Sequence, residues 1–370
     1  MKKVKYKQTI NEFEKVIQDK ELIIYGRTRE TEKICGTYNV KYIIDQDDEL
    51  CDVIIKNKQI YTPDKLYSED SSEIVVLVAT SERYFLEITK KIEEIIDVPI
   101  FYWNVMNNAF LNNFSCELFD NYYRIREIEK RLYDDSSKRI YREVVNRRIA
   151  GIDTGYEDLK IANDIQYIFR PALYSKQEGA ILDCGAYIGD TIDRFVNFFG
   201  DEVKKIYSFE ALPENLEELE RKKNIMKKKW EGEIEIIPYA VSDKAEKIIF
   251  YETEKRGACF SPQFRGATKF RTKKPVKQIT VNAEKIDNLI SCSDQVRYIK
   301  MDIEGAELEA LQGAEQTIKR EKPGLAISIY HNPEDYYRLA ELILKMVPEY
   351  KLAVRHHKYK HVDTVLYAWI

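Results

Sequence analysis

Paired cysteines are missing from this sequence. Its six, at positions 35, 51, 116, 184, 259 and 292, form no C-x-x-C and no repeated spacing. Neither a disulfide framework nor a thiolate metal centre is therefore expected. Long apolar runs are missing too. Nothing reaches the roughly 18 residues of a membrane span, and no apolar segment follows "MKKVKYKQTI" as it would in a secretory leader. The expected location is a reducing, cytoplasmic one. An excess of positive charge is also absent, because 59 Lys and Arg stand against 63 Asp and Glu for a net charge of −4. No global field recruits nucleic acid. The local basic runs "KKK" (227–229) and "RTKKPVK" (271–277) read as a solvated helix face and an exposed loop.

What is present suits two domains. The 370 residues are 44% hydrophobic and 33% charged, the balance of a globular protein with a solvated surface. The first 108 residues alternate between apolar runs and helix-period segments. "ELIIYG" (21–26), "VKYIID" (40–45), "EIVVLVATS" (73–81) and "VPIFYW" (98–103) are continuous, as in buried parallel strands, and "YFLEITKKIEEII" (84–96) has helical spacing. A small Rossmann-like domain is the natural architecture. A dinucleotide fingerprint needs three glycines, for the turn, for backbone approach and for helix packing. Only Gly26 is there, because Thr28 and Thr31 hold the other two places, while Asp45 sits 19 residues on, where a ribose-binding acid would. The site reads as degenerate, and ligand binding there stays open.

Residues 109–177 read as a helical connector. "FDNYYRIREIEKRLYDD" and "SSKRIYREVVNRRI" carry apolar residues at three-to-four spacing, with Ser136 or Ser137 as the expected N-cap between them. A second α/β domain is expected over 178–370. It begins as "AILDCGAYIGDT": a strand ending in Asp183, a turn holding Gly185 and Gly189, then a helix. The spacing G-x-x-x-G offers less backbone access than a pyrophosphate needs. S-adenosylmethionine has no phosphate, only a carboxylate that a turn and helix N-terminus can hold, so the looser turn suits that cofactor better. "KKIYSFEA" ends in Glu210, 27 residues after Asp183, where an acid can accept both ribose hydroxyls. "IEIIPYAVSD" ends in Asp243, placed for an adenine amino group. "VRYIKMDIEGAELEAL" brings Asp302, Glu304, Gly305 and Glu307 to the same open sheet edge, and "GLAISIYH" adds Tyr330 and His331. "KLAVRHHKY" and "TVLYAWI" read as a terminal hairpin.

In that order and spacing, "DCGAYIGDT", "YSFEALPEN", "PYAVSD", "YIKMDIEGAE" and "SIYH" resemble the FkbM family of S-adenosylmethionine-dependent methyltransferases over roughly residues 165–370. "K-x-D-x-E-G-A-E" is the most distinctive block. The upstream helical segments and the "IIYG…YIID" plan resemble a subset of that family with an N-terminal Rossmann-like domain. The resemblance implies a class I methyltransferase fold, a seven-stranded sheet with one antiparallel strand in the terminal hairpin. It implies O-methylation, usually of a hydroxyl on a sugar or a polyketide-like product. It implies cofactor contacts from Asp183, Gly185, Ala186, Tyr187, Gly189, Asp190, Thr191, Glu210 and Ala211, with Ser242 and Asp243 near the adenine and Asp302 facing the sulfonium and the acceptor.

A hydroxyl must lose its proton as the methyl group arrives, and a base in reach helps by roughly 10²–10⁴-fold. Asp302 and His331 are the candidates, His331 by its ordinary pKa. Asp302 could instead hold a divalent ion with Glu304, although oxygen ligands at that spacing are also ordinary capping acids, and no metal is the favoured expectation. Gln166, Tyr167, Glu304 and Tyr330 are the expected acceptor-binding residues, and the cationic segment 254–277 is a candidate clasp for phosphates or an acidic glycan. The expected partner is a sugar or glycan acceptor, its carrier left open, in glycan or surface-polysaccharide assembly. Rival readings are a nucleic-acid methyltransferase, an NAD-dependent sugar dehydrogenase and a non-catalytic or nucleotide-sugar-binding scaffold. Against the first, the chain lacks Pro-Cys and an Asn/Asp-Pro-Pro-aromatic turn. Against the second, neither half has the three-glycine fingerprint. Against the third, Asp183, both loop glycines and Glu210 are intact.

Overall fold

A computed structural model describes residues 2–51, 53–161, 165–174, 178–253, 257–259 and 278–370. The chain forms two compact units, one of residues 1–123, 141–158 and 359–361, the other of 124–140, 159–358 and 362–370. The stretch 109–177 is thus divided between them. Among the described residues no helix is long and apolar enough to cross a membrane.

The first unit is built on a six-stranded sheet of β1 (Glu21–Tyr25), β2 (Val40–Ile44), β3 (Ile54–Ile55), β4 (Lys58–Tyr61), β5 (Ile74–Val78) and β6 (Ile100–Tyr102). The order is β3-β4-β2-β1-β5-β6, all parallel except β3 against β4. β5 is buried at every position, which is why its sequence is a continuous apolar run rather than an alternating one. The helices Arg29–Thr37 and Phe85–Ile95 lay Ile34 and Phe85, Ile88 and Ile92 into the interior.

The second unit holds two sheets. Its strands are β7 (Ala180–Cys184), β8 (Lys205–Phe209), β9 (Glu233–Ile237), β10 (Ala240–Val241), β11 (Glu246–Thr253), β12 (Gly257–Cys259), β13 (Gln278–Glu284), β14 (Val296–Met301), β15 (Gly324–Ser328), β16 (Lys351–His356) and β17 (Thr364–Trp369). The larger sheet has seven strands in the order β16-β17-β15-β14-β7-β8-β9, and only β17 runs against the others. The smaller has the order β10-β13-β11-β12. Of the cationic segment 254–277 only Gly257–Cys259 is described, as β12; the rest, and with it the expected clasp, lies outside the described residues.

Two local outcomes differ from the sequence reading. The helix Asp135–Ile149 is capped by Asp134, whose Oδ1 accepts from the Ser137 N–H at 2.8 Å while its Oδ2 accepts from the Ser137 hydroxyl at 3.0 Å. A carboxylate at the N-cap outcompetes the serines because it also faces the positive end of the helix. The third strand stops at Ile237, and Pro238 and Tyr239 turn the chain before β10. Ser242 and Asp243 therefore lie beyond the strand end. Gly313 packs against the chain just after β10, since a Cβ there would lie 1.9 Å from the Ser242 carbonyl oxygen.

Candidate active site

β7 and β14 are neighbours at the centre of the sheet, and their register sets Asp183 opposite Lys300. Both are buried, and β14 buries Arg297 as well. The Lys300 ammonium lies 3.0 Å from Asp183 Oδ1 and donates to the carbonyls of Cys184 at 3.2 Å and Gly185 at 2.7 Å. An ammonium has three protons, and three acceptors surround it. Burial pushes the Asp183 carboxyl up, opposed by the Lys300 charge and the Thr191 hydroxyl that donates to it. Burial pulls Lys300 down, but Asp183 and Asp302 outweigh that and hold it above its ordinary value. Gly185 has φ +75°, and a Cβ would stand 2.0 Å from the Asp302 carbonyl oxygen. Only glycine lets the turn pass so close to β14.

The turn then presents its backbone outward. Tyr187 takes a left-handed φ of 49°, and its N–H donates to Glu210 Oε2 at 3.0 Å. The other oxygen of Glu210 accepts from the Leu212 N–H at 2.8 Å. Burial raises the pKa of this carboxyl, opposed by those backbone donors and Asn215. Gly189, φ +84°, caps the helix Asp190–Phe199, whose first turn opens on the same space.

That space is a cavity of about 470 Å³ over the carboxyl ends of the strands. Of the residues expected at the site, Gln166, Tyr167, Gly185, Tyr187, Asp190, Thr191, Glu210, Ala211, Asp302 and Glu304 line it. Asp183 and Ala186 lie buried beneath the turn, and Gly189 sits against Lys222 and Leu219. From the third strand the wall takes Tyr239, Ala240 and Val241 rather than Ser242 and Asp243. Residues the sequence reading passed over complete it: Phe209, Leu212, Asn215, Ile248, Phe250, Lys300, Arg194, Lys358 and Asp363. Lys300 had a signal, a lysine inside an apolar strand that must be paired when buried. Ile248 and Phe250 had none, since they come from the second sheet.

Asp302 anchors the far wall. Its Oδ2 accepts from the Tyr167 hydroxyl at 2.7 Å and its Oδ1 from the Tyr330 hydroxyl at 3.1 Å. Tyr167, itself at φ 65°, is held by the Tyr367 hydroxyl on its N–H at 3.1 Å and the Tyr298 hydroxyl on its carbonyl at 2.9 Å. Gln166 donates both to the Tyr167 hydroxyl at 3.0 Å and to Asp363 at 2.9 Å. Burial pushes Asp302 up, but the charges of His331 and Lys300 and the Tyr167 hydroxyl prevail and hold it below the usual carboxylate range.

His331 differs from the expectation of a base. It is 2% exposed, with Nδ1 3.0 Å from Glu307 and Nε2 3.6 Å from Asp302 and 3.7 Å from Glu304. Burial alone would lower its pKa, but Glu307, Glu304 and Asp302 raise it to about 10. An imidazolium at neutral pH has no lone pair to offer a substrate proton. Glu304 also departs from its ordinary value, although its side chain is 48% exposed. Burial, with Asp302, Glu307 and Asp363 adding to it, pushes it up to about 7 against the opposing His331 charge, and it lines the cavity at a left-handed φ of 59°. Asp302, Glu307 and His331 bring donor atoms within 4.8 Å of one another, the set that could hold a metal. Here His331 faces the carboxylates, and Glu307 also accepts from the Ile303 N–H at 2.9 Å.

Residues 183–360 match the family model described as the methyltransferase FkbM domain. The fold is similar to the crystal structure of methyltransferase FkbM from Methylobacillus flagellatus, at a TM-score of 0.57 and 21% identity over 98% of this chain and 94% of that one. A putative rRNA-methylase from Clostridium thermocellum aligns at a TM-score of 0.31 and 8% identity, over 52% of this chain and 86% of that one. No curated protein matches.

The charge arrangement makes a direct prediction. In a carboxyl- and imidazole-observed NMR titration of the full chain, one glutamate titrates near pH 7 and one histidine keeps its proton through pH 8. His331→Gln removes the cation, so the midpoint of Glu304 rises further. Because the folded pKa of His331 is raised, its stabilisation is complete below about 6.5 and is lost as pH rises through about 10. The variant should therefore be less stable by about 3 kcal/mol near pH 6, with the deficit shrinking in alkali. An equal deficit at all pH values would contradict the charged state.

Proposed function

Because residues 183–360 match the model of the methyltransferase FkbM domain, we propose that the large cavity takes S-adenosylmethionine and that the acceptor is a sugar hydroxyl in glycan or surface-polysaccharide assembly. The observation that carries the cofactor assignment is Glu210. It stands at the end of the second sheet strand with each oxygen fixed by a backbone N–H, the disposition that receives a vicinal diol. Phe209, Leu212, Val241 and Ile248 around it are apolar and suit a purine. On the other side, Asp190 and Thr191 begin a helix whose positive end favours a carboxylate, and Asp190 itself suits an ammonium. The residues present therefore fit the cofactor.

When bound, S-adenosylmethionine supplies a methyl group made electrophilic by a positive sulfur. The residues have to align the hydroxyl and take its proton. Asp302 stays anionic and is held in place by the Tyr167 and Tyr330 hydroxyls, so it orients the acceptor hydroxyl. Glu304, whose pKa is near neutrality, accepts the proton. His331 keeps its charge and prevents the carboxylates from repelling one another apart. Gln166, with Tyr167, forms the acceptor-facing wall. Free thiols at Cys35, Cys51, Cys116, Cys184 and Cys292 agree with a cytoplasmic location.

Isothermal titration of the full chain with S-adenosylmethionine and S-adenosylhomocysteine tests the reading. One molecule of each should bind, and Glu210→Ala should weaken binding at least tenfold. A folded wild-type protein that binds neither, or a variant that binds as well as wild type, would overturn it.

A further inference from the structure

We infer that the first unit carries a ligand site of its own, for a ribonucleoside monophosphate, at the carboxyl ends of β1, β2 and β5. The inference does not rest on the reading of the second unit. From β1 the sheet extends through β2 and β4 on one side and through β5 and β6 on the other. The loops leaving β1 and β5 diverge there, which opens a crevice. A cavity of about 440 Å³ occupies it, within the range of small-molecule sites.

Its wall carries the groups such a ligand needs. Asp45, at the end of β2, has one carboxylate oxygen fixed by the Asp47 N–H at 3.1 Å, which turns the acid toward a diol at the strand tip. Arg27, in the loop after β1, supplies a cation, and Tyr84 and Ile88 supply a ring and an apolar surface for a base. The hydroxyl of Tyr25, on a side chain 1% exposed, also reaches this wall. The Gln46 side chain, another wall residue, lies beside that hydroxyl.

The same loop excludes a diphosphate. Where a dinucleotide turn leaves its N–H groups open, the Thr31 hydroxyl here accepts from the Thr28 N–H at 3.0 Å and donates to the Gly26 carbonyl at 2.8 Å. The chain's own threonine uses the donor that would face a phosphate chain. Asp45 and Asp47 on the wall add negative charge, so one phosphate at Arg27 is what the cavity tolerates. Gly26, at φ +112°, is needed because a Cβ would come within 2.9 Å of the Ala79 carbonyl oxygen.

The test is calorimetric titration of the full chain with AMP, GMP, UMP and CMP, in the presence of excess S-adenosylhomocysteine. At least one should bind at one per chain, with at least tenfold weaker binding for its 2′-deoxy form and for Asp45→Ala, and no change in Glu210→Ala. The deoxynucleotide reads the same contact on wild-type protein, should the variant fold poorly. Binding of none of the four, equal binding of the deoxy form, or loss only in Glu210→Ala would each overturn the inference.

Discussion

The ion pair between Lys300 and Asp183 is the contact on which the rest of the second unit's site depends. Two charges buried in the centre of a sheet are stable only when every donor and acceptor is met. The ammonium meets this condition by also taking the carbonyls of Cys184 and Gly185, so satisfying the pair fixes the start of the turn. Everything downstream inherits that position: the N–H of Tyr187, the carboxylate of Glu210 that it holds, and the first turn of the following helix. Lys300 also lies two residues before Asp302, on the same face of an extended strand. One lysine therefore sets the turn and biases the acid on the far wall.

The far wall has a different logic. Asp302, Glu304 and Glu307 gather around one buried histidine, and three carboxylates with one cation cannot all keep ordinary pKa values. Asp302 has the charges of His331 and Lys300 and the Tyr167 hydroxyl beside it, which hold it below its ordinary value. Glu304 is pushed up by burial first and by the neighbouring carboxylates second, to about 7. In the proposed mechanism one cluster thus supplies a fixed anion and a proton acceptor, separated by environment rather than by residue type.

Much of this was legible in the sequence. Continuous apolar runs mark β1, β2, β5, β7 and β14 because buried parallel strands have no polar face, and Gly185 and Glu210 stand out because turns and strand tips limit which residues serve. The two-residue strand β3 and its partner β4 were not visible, since Ile54 and Tyr61 flank too short a pattern. His331 shows the main limit: its ordinary pKa points to a base, and only the three-dimensional company of Glu307, Glu304 and Asp302 makes it a cation. Ser242 and Asp243 lie past the strand rather than at its tip because Pro238 ends it earlier than the apolar pattern does. The contribution of Ile248 and Phe250 depends on long-range pairing of β11 with β13, which no local signal encodes.

The most direct test is a crystal structure of the full chain grown with S-adenosylhomocysteine. The ligand is expected in the second unit's cavity, its ribose hydroxyls on the Glu210 carboxylate and the Lys300 ammonium still on its three acceptors. Ligand bound away from Glu210, or a turn at 185–189 rebuilt to admit it, would contradict the claim that the buried pair preforms the site.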